Sequence, residues 1–213
     1  MDRIELHNTL PCVFEGRDIQ SEIWLQDVTF QKGETILVEA SSGTGKSSLC
    51  SYIIGYRKDY LGNILFDGKD IRQHSVSDWT SIRQHSLSLL FQELRLFPEL
   101  TAMENVQIKN GLTNHKSINE IEEWFQRLGI ADKMSAKVGR MSFGQQQRVA
   151  MIRALVQPFD FLMVDEPISH LDDVNSAIMC DIMMEEARRQ GAGVIVTSIG
   201  KHMNMSYDKT YRL

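Results

Sequence analysis

The stretch that decides the fold is Thr35-Ile-Leu-Val-Glu-Ala40 followed at once by Ser41-Ser-Gly-Thr-Gly-Lys-Ser-Ser48, after which Leu49 opens a helical apolar pattern. Strand, glycine-rich loop and helix stand in the order that a phosphate-cradling loop requires. Gly43 and Gly45 let the backbone turn with its amides inward, the helix N-terminus adds positive partial charge, and Lys46 can reach the β and γ phosphates of a nucleotide. Ser47 is placed to ligate Mg²⁺, and Ser41, Ser42, Thr44 and Ser48 complete the loop. The first glycine of the pattern is Ala40 here, at the strand's end. A glycine-rich turn that only caps a helix needs neither the lysine nor the serine, so the segment implies nucleotide binding.

Working outward, Phe161-Leu-Met-Val-Asp-Glu-Pro167 is a second apolar strand, and it delivers two adjacent carboxylates to its C-terminal end, where parallel sheets bind ligands. Asp165 suits a contact to Mg²⁺ through its hydration shell. By strand alternation Glu166 faces the other way and becomes the general base that polarises water for in-line attack on the γ phosphate. Further strands are expected at 4–6, 64–66, 86–91 and 193–197, and helices from Lys46, at 118–128, at 144–156 stopped by Pro158, and at 174–190 stopped by Gly191. Runs apolar on both alternating sets belong to strands covered on two faces. The expected architecture is therefore α/β: a P-loop NTPase core with a mostly parallel sheet, an N-terminal antiparallel part marked by the turn Asp67-Gly68-Lys69-Asp70, and a helical insertion.

Composition narrows the partners. The chain has 213 residues, 23 basic against 28 acidic, for a net charge of −5, which argues against nucleic acid. No apolar run approaches the length of a membrane span and no leader is evident, so a cytoplasmic chain is expected. Cys12, Cys50 and Cys180 lie far apart without metal-ligand spacing, as suits buried reduced thiols. Ile178, Ile182, Met183 and Met184 form a stripe expected in the core, and 185–189 a solvated, mixed-charge helix end.

With these motifs in order, the sequence resembles the ATP-binding subunits of ABC transporters over nearly its whole length. Phe91-Gln92 and the run to Val106 resemble the family's Q-loop and the start of its helical subdomain, which implies that Gln92 contacts Mg²⁺ and the attacking water while its neighbours sense a membrane partner. Met141-Ser-Phe-Gly-Gln-Gln-Gln-Arg-Val-Ala150 resembles the signature that closes, from a second subunit, over the γ phosphate, with Ser142, Phe143, Gly144 and Gln145 as its contact residues. Taken alone, Ser142 would be read as a helix cap. Ser169-His-Leu-Asp172 resembles the D-loop at the dimer interface, with Asp172 the residue carried over. The resemblance implies one ABC ATP-binding domain, with 1–92 and 158–213 as core and 93–157 as helical subdomain. The run from Leu96, the glutamines at 145–147 and the end at Leu213 resemble the short branch of lipoprotein-releasing, macrolide-export and cell-division ATPases. That branch implies no appended C-terminal regulatory domain.

The same resemblance implies ATP and Mg²⁺ as ligands, an identical or paralogous second subunit, and a transmembrane permease holding the chain at the inner face of the membrane. Two departures stand out. Phe143 replaces the first signature glycine, and Ser198 stands where the family carries its switch histidine. A ring must point away from a phosphate that glycine would let approach, and a hydroxyl cannot supply imidazole's reach. ATP binding retained with slowed hydrolysis is the expectation; the alternative is a regulatory module that dimerises on nucleotide with weak or no turnover. Phe14 is the expected adenine-stacking aromatic, ahead of Val13, while His202 does not match the switch position.

Overall fold

The chain opens with three strands, places three successive α-helices between its sixth and seventh strands, and closes on two more strands after its last helix. The structure is a computed structural model describing residues 1–168, 172–200 and 202–213. In order, the elements are β1 (Arg3–Pro11), β2 (Asp27–Gln31), β3 (Thr35–Glu39), α1 (Lys46–Ile53), β4 (Tyr60–Phe66), β5 (Lys69–Asp70), α2 (Val76–His85), β6 (Leu87–Leu90), α3 (Ala102–Asn110), α4 (Ile118–Arg127), α5 (Phe143–Leu155), β7 (Phe161–Asp165), α6 (Asp173–Gln190), β8 (Gly193–Ser198) and β9 (Lys209–Arg212). Ser169, His170 and Leu171 of the D-loop expectation lie outside the described residues.

The strands make two sheets: an antiparallel one in the order β2-β1-β4-β5, and a parallel one in the order β6-β7-β8-β3-β9. Alternation along the parallel strands splits the interior in two. Ile36, Val38, Phe161, Met163 and Ile195 face the antiparallel sheet and α1. Leu37, Leu162, Val164, Val194 and Val196 face the other way and pack with α5 and α6. Both faces of β7 and β8 are thus buried, which is why these strands read as unbroken apolar runs.

Because β3, β7 and β8 are parallel, their C-terminal ends share one edge. Register puts Asp165 opposite Thr197, and Glu39 opposite Ser198. That edge carries the phosphate loop after β3 and the two carboxylates of β7, with β8 between them.

Several expectations need correction. Cys50 and Cys180 are buried, but Cys12 is exposed, on a short 3-10 turn spanning Cys12–Phe14 that leaves the sheet. The helix end at 185–189 is not solvated throughout: Glu186 is buried and accepts from the enclosed Lys116 ammonium at 2.7 Å. Helix α2, and strands β2, β5 and β9, arise where no element was expected.

Candidate functional site

Five of the six α-helices among the described residues begin on a side-chain cap: Ser75, Thr101, Ser117, Ser142 and Asp172 each accept from a backbone N–H of the first turn. The exception is α1. Its N-cap is Gly45 at φ 98°, with no side-chain cap. Gly43, at φ 85°, takes the same left-handed conformation, which other residues adopt only at a cost. The first-turn amides of α1 are therefore left to an anion, where the helix dipole also favours one.

Around this helix start lies a cavity of about 540 Å³. Ser41, Ser42, Gly43, Gly45, Lys46, Ser47 and Ser48 form its floor. Gln92 and Glu166 close one side, while Val13, Phe14, Arg17 and Ile199 close the other. Thr44 turns away, its hydroxyl donating to the Ser41 carbonyl at 2.9 Å. Ala40 is buried and its N–H donates to the Ser198 carbonyl at 3.0 Å, tying the loop's entrance to β8.

The charged centre is compact. The buried Lys46 ammonium donates to Glu166 Oε1 and stands 3.4 Å from Asp165 Oδ1. Asp165 also accepts from Thr197 Oγ1 at 2.5 Å, which aims its carboxylate. Gln92 Nε2 donates to Glu166 Oε2 at 3.1 Å. The two carboxylates do not face opposite ways as alternation predicts. β7 ends at Asp165, and Glu166 has φ 48°, so the chain turns and brings both acids onto one lysine. Holding a non-glycine residue there costs on the order of 1 kcal/mol, offset by the Glu166 N–H donating to the Thr197 carbonyl at 3.1 Å. Cys50, one turn along α1, is fully enclosed, and burial, with the Asp165 charge next, pushes its thiol well up. It stays protonated beside the site.

Phe14 is half-buried at the cavity's edge, its ring 3.0 Å from where a Cβ on Gly45 would sit. The Arg17 guanidinium lies over the same ring, 5.6 Å from its centroid. The more exposed Val13 lines the cavity as well. Ser198 is buried behind this surface at the end of β8. His202 is not at that position; its Nε2 lies 3.0 Å from Glu39 Oε1.

The signature residues are outside the cavity. Ser142 caps α5 in a reciprocal box, accepting from Gln145 N at 3.3 Å while its own N–H donates to Gln145 Oε1 at 3.0 Å. Phe143 and Gly144 follow as the first helical residues, with Phe143 exposed. The three glutamines divide their work. Gln145 caps, Gln146 donates to the Val138 and Met141 carbonyls, and buried Gln147 donates to the Pro167 carbonyl just beyond Glu166. Asp172 caps α6 through Asn175 N at 2.8 Å, and this bond with the Asn175 side chain holds its carboxyl below the usual range.

Sequence reasoning missed Thr197, Trp24 and Arg17. Thr197 is fixed by β7–β8 register, which one sequence does not reveal. Trp24 and Arg17 sit in the irregular segment between β1 and β2, where periodicity carries no signal.

Comparison with known proteins agrees with this geometry. Residues 26–169 match the ABC transporter family. The lipoprotein-releasing system ATP-binding protein LolD of Geobacter metallireducens is 31% identical over 190 residues, covering 88% of this chain and 84% of that protein. The solved dimeric structure of MJ0796, a bacterial ABC transporter cassette, superposes with a TM-score of 0.76 at 24% identity, over 92% of this chain and 87% of that one. A second MJ0796 structure, a dimeric post-hydrolysis state bound to ADP and Pi, gives 0.73 at 25% identity over the same shares. With the family match over residues 26–169 and the identity to the LolD protein beside the phosphate loop and paired carboxylates, the chain belongs to the ABC transporter family, as an ATP-binding ATPase cassette of the LolD-like branch.

Proposed function

We propose that the chain is the ATP-hydrolysing subunit of an ABC transporter complex, dimerising head to tail on Mg-ATP to drive a transmembrane partner at the inner face of the membrane. One observation carries this: Lys46, Asp165, Glu166 and Gln92 converge on the N-terminus of α1, the one α-helix among the described residues whose amides no side chain caps. Lys46 exchanges its carboxylate partners for the β and γ phosphates, which frees Glu166 to accept a proton from water. Gln92, already bonded to Glu166, orients that water. Phe14 takes the base.

The donors suit Mg²⁺. Ser47 offers a hydroxyl at the cavity floor and Asp165 a carboxylate 3.4 Å from the Lys46 ammonium, hard oxygen donors of the kind Mg²⁺ takes together with substrate phosphates. Ser47, Asp165 and Gln92 would hold it, and when bound it neutralises charge on the transferred phosphoryl group. Ser142, Phe143, Gly144 and Gln145 then act on the second subunit's nucleotide, and Asp172 lies at that interface. Residues 93–157 form the subdomain that carries them.

A groove of about 340 Å³ that begins beside Gln92 supports the membrane partner. Phe97, Ile108 and Leu112 are exposed along it, and its charged residues are Arg83, Arg95, Lys109 and Arg153, with no carboxylate among the described lining. Burial pulls Arg153 down to about 10, and Lys109 is lowered by burial and then by Arg153. An apolar, carboxylate-bearing segment of the partner complements such a surface.

The test is phosphate release across a protein concentration series, with and without Glu166→Gln. Turnover should rise with concentration and fall by about 10²-fold or more in the variant, which should still bind ATP and accumulate as a dimer. ATP-dependent dimers that release no phosphate, in the wild type and in the assembled complex, would overturn it.

A further inference from the structure

We infer that Trp24 is a positioning residue for the phosphate loop, holding the Thr44–Gly45 peptide so that the Gly45 amide faces the nucleotide. The indole Nε1–H donates to the Thr44 carbonyl at 2.8 Å. In a trans peptide the C=O and the following N–H point in opposite directions, so a carbonyl fixed to the indole on one side aims the Gly45 N–H to the other. That other side is the cavity, whose floor Gly45 and Lys46 form.

The ring works with its donor. A Cβ on Gly45 would stand 3.2 Å from Trp24 Cζ2 and Nε1, and 3.0 Å from Phe14 Cε2, so the glycine is held between two aromatic edges. Gly45 keeps φ 98° there. Left-handed glycine flips easily between conformers when nothing holds it, and the indole bond removes that freedom before ligand arrives.

Trp24 is itself held on a built strap. It is 1% exposed, and Ser21 Oγ accepts from Trp24 N at 2.9 Å and from Ile23 N at 3.1 Å. Glu22 N donates to the Arg212 carbonyl at 2.8 Å, and Leu25 N to the Thr9 carbonyl at 3.0 Å, tying the segment to β9 and β1. Leu25 adopts φ 60° to complete the turn that drives the indole inward. A buried indole N–H needs an acceptor, and the one this strap presents to it is the phosphate-loop carbonyl of Thr44.

The inference rests on ATP binding at this loop, and wild-type binding tests that separately. Trp24→Phe keeps an aromatic ring and removes the donor. Affinities for ATP, ADP and inorganic tripolyphosphate should each fall about fivefold to tenfold. Because the loss is in phosphate binding, KM rises while kcat at saturating ATP stays near wild type. ¹⁵N NMR of the wild-type chain gives a second route, which holds even where the variant does not fold. The Trp24 indole N–H should be protected from exchange and should shift on adding tripolyphosphate. Wild-type affinity for tripolyphosphate in the variant, or a Trp24 indole that exchanges freely and ignores tripolyphosphate, would overturn the inference.

Discussion

Two helix N-termini in this chain, both assigned to nucleotide in the proposed dimer, are built in opposite ways. α1 begins on a left-handed Gly45 with its first-turn amides uncapped, and Trp24 fixes the peptide from outside. α5 begins on Ser142, whose hydroxyl accepts from its own third residue in a closed box with Gln145. The first is open to an anion in its own chain's cavity; the second is satisfied within its own first turn. An open amide row binds phosphate strongly and needs external support, whereas a capped row is stable alone and contributes only by rearranging or by lending its remaining groups. In the proposed dimer, half of each site is complete in the single chain, and the half supplied by a neighbour is the one carrying Phe143.

The sharpest way to break this contrast is at α1. Lys46→Ala removes the cation that Asp165 and Glu166 share, leaving two adjacent carboxylates without their counter-charge beside the cavity. ATP affinity and turnover should each fall on the order of a hundredfold or more, measured by nucleotide titration and phosphate release. Retained affinity would mean that the uncapped amides alone hold the phosphates. At α5 the expectation is different in kind. Phe143→Gly restores the residue that the family resemblance calls for and removes an exposed ring at the helix's first position. Nucleotide binding by the lone chain should be unchanged, α5 should lose up to about 1 kcal/mol of stability, and turnover in the dimer should rise severalfold. Unchanged turnover would show that the ring already points clear of the facing phosphate.

How far the sequence reveals these two sites follows from how local their physics is. The phosphate loop, β3, β7 and the α5 cap are contiguous strings whose period, glycines and cap residues act over a few positions, so the cavity floor at 41–48 and the acids at 165 and 166 are legible directly. The direction of Glu166 is not, because alternation holds only within a strand and β7 stops one residue earlier. Helix α2 had a readable signal, the Ser75 and Asp78 capping box, but a short polar helix with a single buried Trp79 offers little apolar period. Strand β9 carries alternating, partly exposed Lys209-Thr-Tyr-Arg212 and pairs with β3 alone, so nothing in its composition separates it from a loop. Trp24, Thr197 and the Lys116–Glu186 pair depend on segments far apart in sequence meeting in space.

The smallest expected effect separates a charged cap from a neutral one. α4 starts on the same kind of box as α5, but its third residue is Glu120 where α5 has Gln145. The Ser117 N–H and then the Ser117 hydroxyl bonded to the Glu120 carboxylate, joined by Arg189 and Lys116, hold it down to about 2 from an ordinary 4.5. A carboxyl depressed in the folded state contributes stability that is fully present above the unfolded value and is lost as pH falls through the folded one. The contribution of Glu120 should therefore decline between about pH 4.5 and pH 2. Glu120→Gln turns the box into the form α5 uses. The difference in denaturant midpoint between wild type and variant should be constant above pH 5 and shrink steadily below it. A difference that stays flat down to pH 2 would mean that folding does not hold the Glu120 carboxyl below its unfolded value, and that geometry rather than charge makes both caps work.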